Sequence, residues 1–226
     1  MPNYEYKRVT LFAGHYGSGK TNIAVNFALK MASQGLKVKI ADLDIVNPYF
    51  RTKDSQKDLQ KANIELISPA FANTNVDLPA LPQEVYKLVH SKDFKAVFDI
   101  GGDDRGAYAL GRYTPYILEE NDYEMVFVAN FYRPLTKTPK EAIEVMREIE
   151  DACKIKFTAI INNSNLGNIT TANDVNATTS KAQELSKLTG LPLIFTTATK
   201  EVAGEIDADN IFELQLQEKI FDIKEN

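Results

Sequence analysis

Cysteine and histidine are scarce in this chain of 226 residues, which contains one cysteine and two histidines. A single thiol forms no intrachain disulfide, and alone it cannot hold a metal cluster or supply the cysteine pair of a cluster shared by two subunits. His15 and His90 have no metal-ligand partner at motif spacing. The sequence therefore predicts no disulfide scaffold and no zinc or iron–sulfur centre, and Cys153 is expected to be a small buried side chain.

Long apolar segments and dense basic runs are also absent. No apolar run approaches the roughly 20 residues that cross a bilayer, and residues 1–8 lead into a first strand without the pattern of a signal peptide. The net charge is −5 at pH 7, so the basic patches that neutralise nucleic-acid phosphates are lacking. We expect a cytoplasmic protein that binds neither nucleic acid nor membranes.

A phosphate-binding motif is present near the start of the chain. Residues 14–21, GHYGSGKT, match G-x-x-x-x-G-K-S/T, the loop of P-loop nucleotide hydrolases. A strand-like run over 8–13 precedes the motif and a helical stretch over 22–33 follows it, a context that a chance glycine-rich turn would not need. The motif predicts these nucleotide-binding residues: Gly14, Tyr16, Gly17, Ser18, Gly19, Lys20, Thr21 and Asn22.

Two residues of the motif are expected to act through their side chains, with ATP and Mg²⁺ as cofactors. The ammonium group of Lys20 would reach the β- and γ-phosphates and contribute to catalysis, and the hydroxyl group of Thr21 would bind Mg²⁺. We expect the Lys20 side chain to face solvent until phosphate arrives. The glycines allow backbone angles and close approaches that a Cβ atom would forbid.

Strand-like and helical segments alternate along the chain, and no internal repeat is visible. This alternation predicts an α/β protein with a three-layer P-loop NTPase fold, in which helices cover both faces of a mostly parallel sheet. We expect a single domain over residues 1–226. Thr138 to Glu141 has the pattern of a capped helix start, and residues 210–223 are predicted to form a last helix.

Polar residues follow several predicted strands, where ligands of parallel sheets bind. Asp99 is the candidate for holding a Mg²⁺-bound water, although a turn or cap aspartate would also be found there. Asp44 lies nearer the carboxyl end of its strand than Asp42 and is the candidate for orienting an attacking water, although a solvated strand end or turn would also accept both aspartates. Asn162 is suited to bind a nucleobase edge, because its amide offers a donor and an acceptor, but asparagine is also common in turns.

These motifs resemble those of the MinD/ParA-type branch of P-loop ATPases, which also contains the nitrogenase iron protein and the cobyrinic-acid and dethiobiotin synthetases. The resemblance lies in GHYGSGKT at 14–21, ADLD at 41–44 and FDIGG at 98–102. It implies that Asp44 orients the lytic water, that Asp99 is the Walker B aspartate and that Asn162 contacts the base. The runs at 42–51 and 99–106 further resemble a bacterial subfamily of nucleotide-binding proteins, a resemblance that defines no substrate.

The chain departs from this family at the position after the first glycine of the P-loop. The partitioning-type members have a lysine there that reaches the partner's nucleotide across a dimer, whereas this chain has His15, followed by Tyr16. A neutral histidine lacks the fixed charge of lysine. We therefore expect no tight ATP sandwich dimer. The basic amphipathic tail of MinD is missing as well, since residues 210–226 contain Glu and Asp as freely as Lys.

Three functional hypotheses remain open at this stage. The first is a Mg-ATP-dependent switch that acts on a partner protein and hydrolyses ATP slowly. The second is a small-molecule kinase or ligase with an anion-binding pocket, and the third is a nucleotide-binding module with negligible turnover. The candidate pocket residues, equally plausible as solvated surface residues, are Tyr49, Arg51, Arg105, Arg112 and Arg133.

Overall fold

The computed structural model describes residues 4–44, 52–68, 83–101 and 104–217, without the side chains of residues 53, 83 and 104–106. The strands are β1 (Val9–Ala13), β2 (Val38–Leu43), β3 (Glu65–Ile67), β4 (Lys95–Ile100), β5 (Tyr123–Ala129), β6 (Ala159–Asn162), β7 (Leu193–Thr199) and β8 (Ile211–Leu214). The helices are α1 (Lys20–Ser33), α2 (Gln56–Lys61), α3 (Gln83–His90), α4 (Asp104–Gly111), α5 (Thr114–Glu120), α6 (Pro139–Cys153), α7 (Ala172–Thr189) and α8 (Lys200–Ala203).

All strands belong to one parallel sheet in the order β3-β2-β4-β1-β5-β6-β7-β8. Side chains alternate between its two faces, so Phe12 packs with Phe27 of α1 while Leu11 belongs to the core beneath α3 to α7. The prediction of an α/β fold with helices on both faces is confirmed. The predicted extent of one domain over 1–226 stays an expectation.

The structure confirms the predicted capped helix start at Thr138 and contradicts the first part of the predicted last helix. Thr138 forms a complete capping box with Glu141 at the start of α6, as the sequence predicted. The predicted helix over 210–223 is wrong over its first part, because Ile211–Leu214 is a strand. Phe212 and Leu214 point into the core and Glu213 does not, which is the two-residue period of a strand. Residues 218–223 lie outside the described residues.

The connections of β1 define the edge of the sheet where a ligand would bind. The chain moves from β1 to β2 on one side and returns through β4 to β5 on the other, so β1 lies between β4 and β5. Such a reversal opens a crevice at the carboxyl ends of the strands. The P-loop follows β1 at this crevice, and Asp99 lies beside Phe12 on the neighbouring strand β4.

Candidate functional site

The P-loop joins β1 to α1 in a conformation that depends on its glycines. A Cβ atom on Gly14 would lie 2.5 Å from the carbonyl oxygen of Val128, so only glycine lets the loop pass β5. Gly19 has a φ of +90° and precedes the first helical residue, a conformation that favours glycine. The N–H groups of Tyr16, Gly17 and Gly19 make no hydrogen bond with another described residue, and donors at a helix start are suited to bind phosphate.

Lys20 is buried within the loop that it belongs to. Its residue is 4% exposed, and the ammonium group donates to the carbonyl oxygen of His15 at 3.4 Å. The expectation of a solvent-facing lysine is therefore wrong. The positive charge of Lys20 and the side chain of Thr21 both lower the pKa of Asp99, against the larger effect of burial. The side chains of Lys20 and Thr21 thus meet the predicted Walker B aspartate without a bound nucleotide.

Asp99 lies at the centre of a cluster of buried carboxylates. Its Oδ2 accepts a hydrogen bond from Thr52 Oγ1 at 3.1 Å, and its Oδ1 has no hydrogen-bond partner among the described residues. Burial raises its pKa to about 6 despite the opposing effect of Lys20. Asp42 lies opposite Asp99 in the register of β2 and β4, and burial together with the Asp99 charge raises its pKa to about 8.

Asp44 lies beside this pair, immediately after β2. Its N–H donates to Asp42 Oδ1 at 3.0 Å, and its residue is buried. The negative charge of Asp44 contributes to the raised pKa of both Asp42 and Asp99. The two residues that the sequence proposed for water orientation and metal binding are therefore brought together in one site.

The residues present fit Mg²⁺ only as part of a nucleotide complex. Thr21 supplies a hydroxyl oxygen, and Asp99 supplies a carboxylate oxygen without a hydrogen-bond partner in the described part of the chain. Both are hard ligands of the kind that Mg²⁺ prefers. Among the described residues, no group of three or more His, Cys, Asp or Glu side chains is placed to hold a metal ion. Phosphate oxygens and waters would have to complete the coordination.

The raised pKa of Asp42 leads to a prediction for the metal-free protein. The ordinary pKa is 3.8 and the value in the fold is about 8, so the folded chain binds this proton more tightly than the unfolded chain. The free energy of unfolding therefore falls as the pH rises between these two values. Asp42→Asn removes the charge, and we expect it to raise the melting temperature at about pH 8 and much less at about pH 4.

Thermal melts without Mg²⁺ at both pH values measure this effect. Asp93→Asn is the matched control, because Asp93 is exposed before β4 at the opposite edge of the sheet. Lower stability of Asp42→Asn than of the unmodified protein at about pH 8 would contradict the prediction.

Two of the predicted nucleotide-binding side chains are engaged in the protein's own structure. The Asn162 amide donates to Thr178 Oγ1 at 3.1 Å, and its oxygen accepts from Ser164 Oγ at 2.7 Å. Asn162 is completely buried, and its contact with the base stays a prediction. Asn22 faces the C-terminal segment, where its Oδ1 accepts from Gln217 N at 3.1 Å.

The C-terminal segment continues this contact along α1. Asn26 accepts from the N–H of Gln215 at 2.9 Å and donates to its carbonyl oxygen at 2.9 Å. The side chain of Gln217 donates to Ser55 Oγ at 2.7 Å, in the 3₁₀ turn Thr52–Ser55. Residues 215–217, which we call the C-terminal clamp, therefore connect the first turns of α1 to the turn that contains Thr52.

Sequence reasoning missed two asparagines that follow Asn162. The amide of Asn163 donates to the carbonyl oxygen of Ser18 at 2.6 Å and supports the P-loop from behind. Asn165 lines a cleft of about 320 Å³ at the ends of β6 and β7, together with Thr197, Glu201 and Leu214. The run NNSN over 162–165 indicated a polar segment after β6. Only the fold shows that Asn162 and Asn163 face inwards and that Asn165 lines the cleft.

The candidate arginines separate into different regions. Arg51 and Tyr49 lie outside the described residues, as does the side chain of Arg105. Arg112 follows the end of α4, and the nearby Thr114 bonds to the carbonyl oxygen of Cys153 at the end of α6, so Arg112 lies at the edge opposite the P-loop. Arg133 contacts the P-loop itself, with Nε donating to the carbonyl oxygen of Gly17 at 2.8 Å.

Several solved structures with the same fold are FtsY proteins. The cell division protein FtsY of Thermotoga maritima has 16% sequence identity and a TM-score of 0.59 over 88% of this chain. Chloroplast FtsY of Physcomitrella patens has 18% identity and a TM-score of 0.57 over 86% of this chain. The signal recognition particle receptor FtsY of Elizabethkingia anophelis, in complex with GDP, has 15% identity and a TM-score of 0.51 over 86%.

This chain spans only about three fifths of the length of those proteins, which it matches over 64%, 59% and 58% of their chains. No protein-family profile and no curated protein sequence matches the chain. The likeness establishes the P-loop NTPase fold, whereas the MinD/ParA resemblance stays an expectation from the motifs. Among the described residues no helix has both the length and the apolarity needed to cross a bilayer.

Proposed function

We propose that this protein is a Mg²⁺-dependent P-loop ATPase that acts as a nucleotide-dependent switch on a partner protein in the cytoplasm. The observation that carries this proposal is that Lys20 and Thr21 lie close enough to Asp99 to lower its pKa. They adjoin a loop in which the N–H groups of Tyr16, Gly17 and Gly19 make no hydrogen bond with another described residue. Phosphoryl transfer requires donors that bind the phosphates, a cation beside them and a carboxylate that helps to hold Mg²⁺. Asp44, next to Asp42 and Asp99, is the candidate for orienting the attacking water.

Hydrogen bonds that connect the candidate metal site to the C-terminal clamp support the proposal of a nucleotide-dependent switch. Asp99 is bonded to Thr52, and Ser55 in the same turn is bonded to the C-terminal clamp. A metal ion at Asp99 changes the charge that Thr52 bonds to, so binding and release of Mg-nucleotide would act on this turn. His15 leaves the P-loop without a lysine for a partner's nucleotide, so we propose regulation without a tight ATP sandwich dimer.

The choice of ATP over GTP rests on the cleft beside Asn165, in which we place the base. The side chain of Asn165 bonds to Asn163 O and to Gly167 N, and one donor and one acceptor position remain on the amide. A donor–acceptor pair complements adenine, whereas the adjacent donors of guanine favour a carboxylate. Glu201 lines the same cleft and is the competing determinant.

Asn165→Asp is expected to move the preference from ATP towards GTP by about tenfold, because a good bidentate base contact discriminates by ~1–3 kcal/mol. Calorimetric titration of Mg-ATP and Mg-GTP into each protein measures the ratio of affinities. Asn173→Asp is the matched control, since Asn173 is exposed on α7 and does not line the cleft. An unchanged ratio in Asn165→Asp would show that the base is bound elsewhere.

A further inference from the structure

Arg133 is held against the P-loop by its contacts with Gly17. Its Nε donates to the carbonyl oxygen of Gly17 at 2.8 Å. Its Nε, Cδ and Cζ atoms lie 3.6, 3.7 and 4.0 Å from the position that a Cβ atom on Gly17 would occupy. The guanidinium group therefore covers Gly17, although 116 residues separate the two in sequence.

The backbone that presents Arg133 is firmly fixed. Its N–H donates to Asn130 O at 3.1 Å, and Thr136 Oγ1 donates to the same oxygen at 2.8 Å. Phe131, two residues earlier, donates its N–H to Ser164 Oγ at 3.0 Å. Leu135 adopts a φ of +64°, a conformation that costs free energy in a residue with a side chain. The loop thus holds the arginine in place before any ligand binds.

No carboxylate in the described part of the chain compensates the charge of Arg133. Among the described residues it forms no ion pair, and its two terminal nitrogens make no hydrogen bond. The site meanwhile contains three carboxylates, Asp42, Asp44 and Asp99, and a nucleotide would add further negative charge. A fixed guanidinium with free donors is well suited to bind phosphate oxygens.

We propose that Arg133 contacts the phosphates of the nucleotide held by the same P-loop and supplies, within one chain, the second positive charge that His15 does not. This inference rests on the proposed function, because it requires a nucleotide in the P-loop. The anchor on Gly17 places the side chain at the loop and leaves the terminal nitrogens for the ligand. Arg133 is then a binding residue and acts on affinity for the phosphate chain.

The test compares Arg133→Gln and Arg133→Lys with the unmodified protein by calorimetric titration of Mg-ATP at low and high salt. Arg133→Gln is expected to weaken binding about tenfold, since a charge-assisted bond is roughly twice as strong as a neutral one. It should also make binding less salt-dependent. Arg133→Lys keeps the charge and should recover part of the affinity. Arg112→Gln, which removes the same charge at the opposite edge, should bind as the unmodified protein does.

The possible results separate this inference from a structural role and from the proposed function. Equal losses of affinity for Mg-ATP in Arg133→Gln and Arg133→Lys, with a lower melting temperature and an unchanged salt dependence, would overturn this inference. Arg133 would then only stabilise the loop conformation at Gly17. Arg133→Gln that binds normally while Lys20→Ala does not would overturn this inference alone. Absence of nucleotide binding by the unmodified protein would overturn both proposals.

Discussion

Lys20→Ala is expected to reduce the affinity for Mg-nucleotide by at least a hundredfold, since two charge-assisted bonds to phosphate contribute ~3 kcal/mol or more. The structure adds a second effect, because Lys20 lowers the pKa of the buried Asp99 carboxyl. Without the ammonium group that carboxyl is more readily protonated, and a protonated acid is a poor ligand for a metal-bound water. Nucleotide binding and metal binding should therefore fail together.

Calorimetry with Mg-ATP, supported by circular dichroism to confirm folding, measures the loss. Lys30→Ala is the matched control, because Lys30 is exposed on the same helix. A folded Lys20→Ala protein with unchanged affinity would contradict the assignment of the P-loop.

Asp44→Asn is expected to keep Mg-ATP binding and to reduce turnover by about a hundredfold or more, as removal of a general base does. The amide is close in size to the carboxylate but cannot accept a proton from the attacking water. It also removes a charge that raises the pKa of Asp42 and Asp99, so metal binding should not weaken. The separation of binding from turnover distinguishes this variant from Lys20→Ala.

Phosphate release measured under single-turnover conditions, together with calorimetric affinities, tests this separation. Asp151→Asn serves as the control, since Asp151 is exposed near the end of α6. Hydrolysis by Asp44→Asn at the unmodified rate would move the catalytic role to another residue.

The sequence was most informative about features that are formed by residues close to one another along the chain. The P-loop, the Walker B position and the capping box of α6 are each contained within a few consecutive residues, so their patterns could be recognised locally. Asp99 was proposed as the metal-binding aspartate because it follows an apolar run, and in the structure it is the next-to-last residue of β4. The parallel sheet followed from the alternation of elements, which depends on periodicity rather than on individual contacts.

Contacts between distant residues could not be predicted from these patterns. Asn162 to Asn165 offer three amides within four positions, and Thr178 and Ser18 decide which of them face inwards. The anchoring of Arg133 on Gly17 depends on β5 lying beside β1. A four-residue edge strand such as β8 carries too few positions to distinguish a two-residue period from a helical one.

The C-terminal clamp connects two segments of the candidate nucleotide site. Gln217 is bonded to Asn22, the residue after Thr21, and to Ser55 in the turn of Thr52. Two binding events that share such a connection alter each other's free energy by the same amount. If a partner protein bound residues 215–217, any effect of the nucleotide on that binding would be matched by an equal effect of the partner on the affinity for the nucleotide.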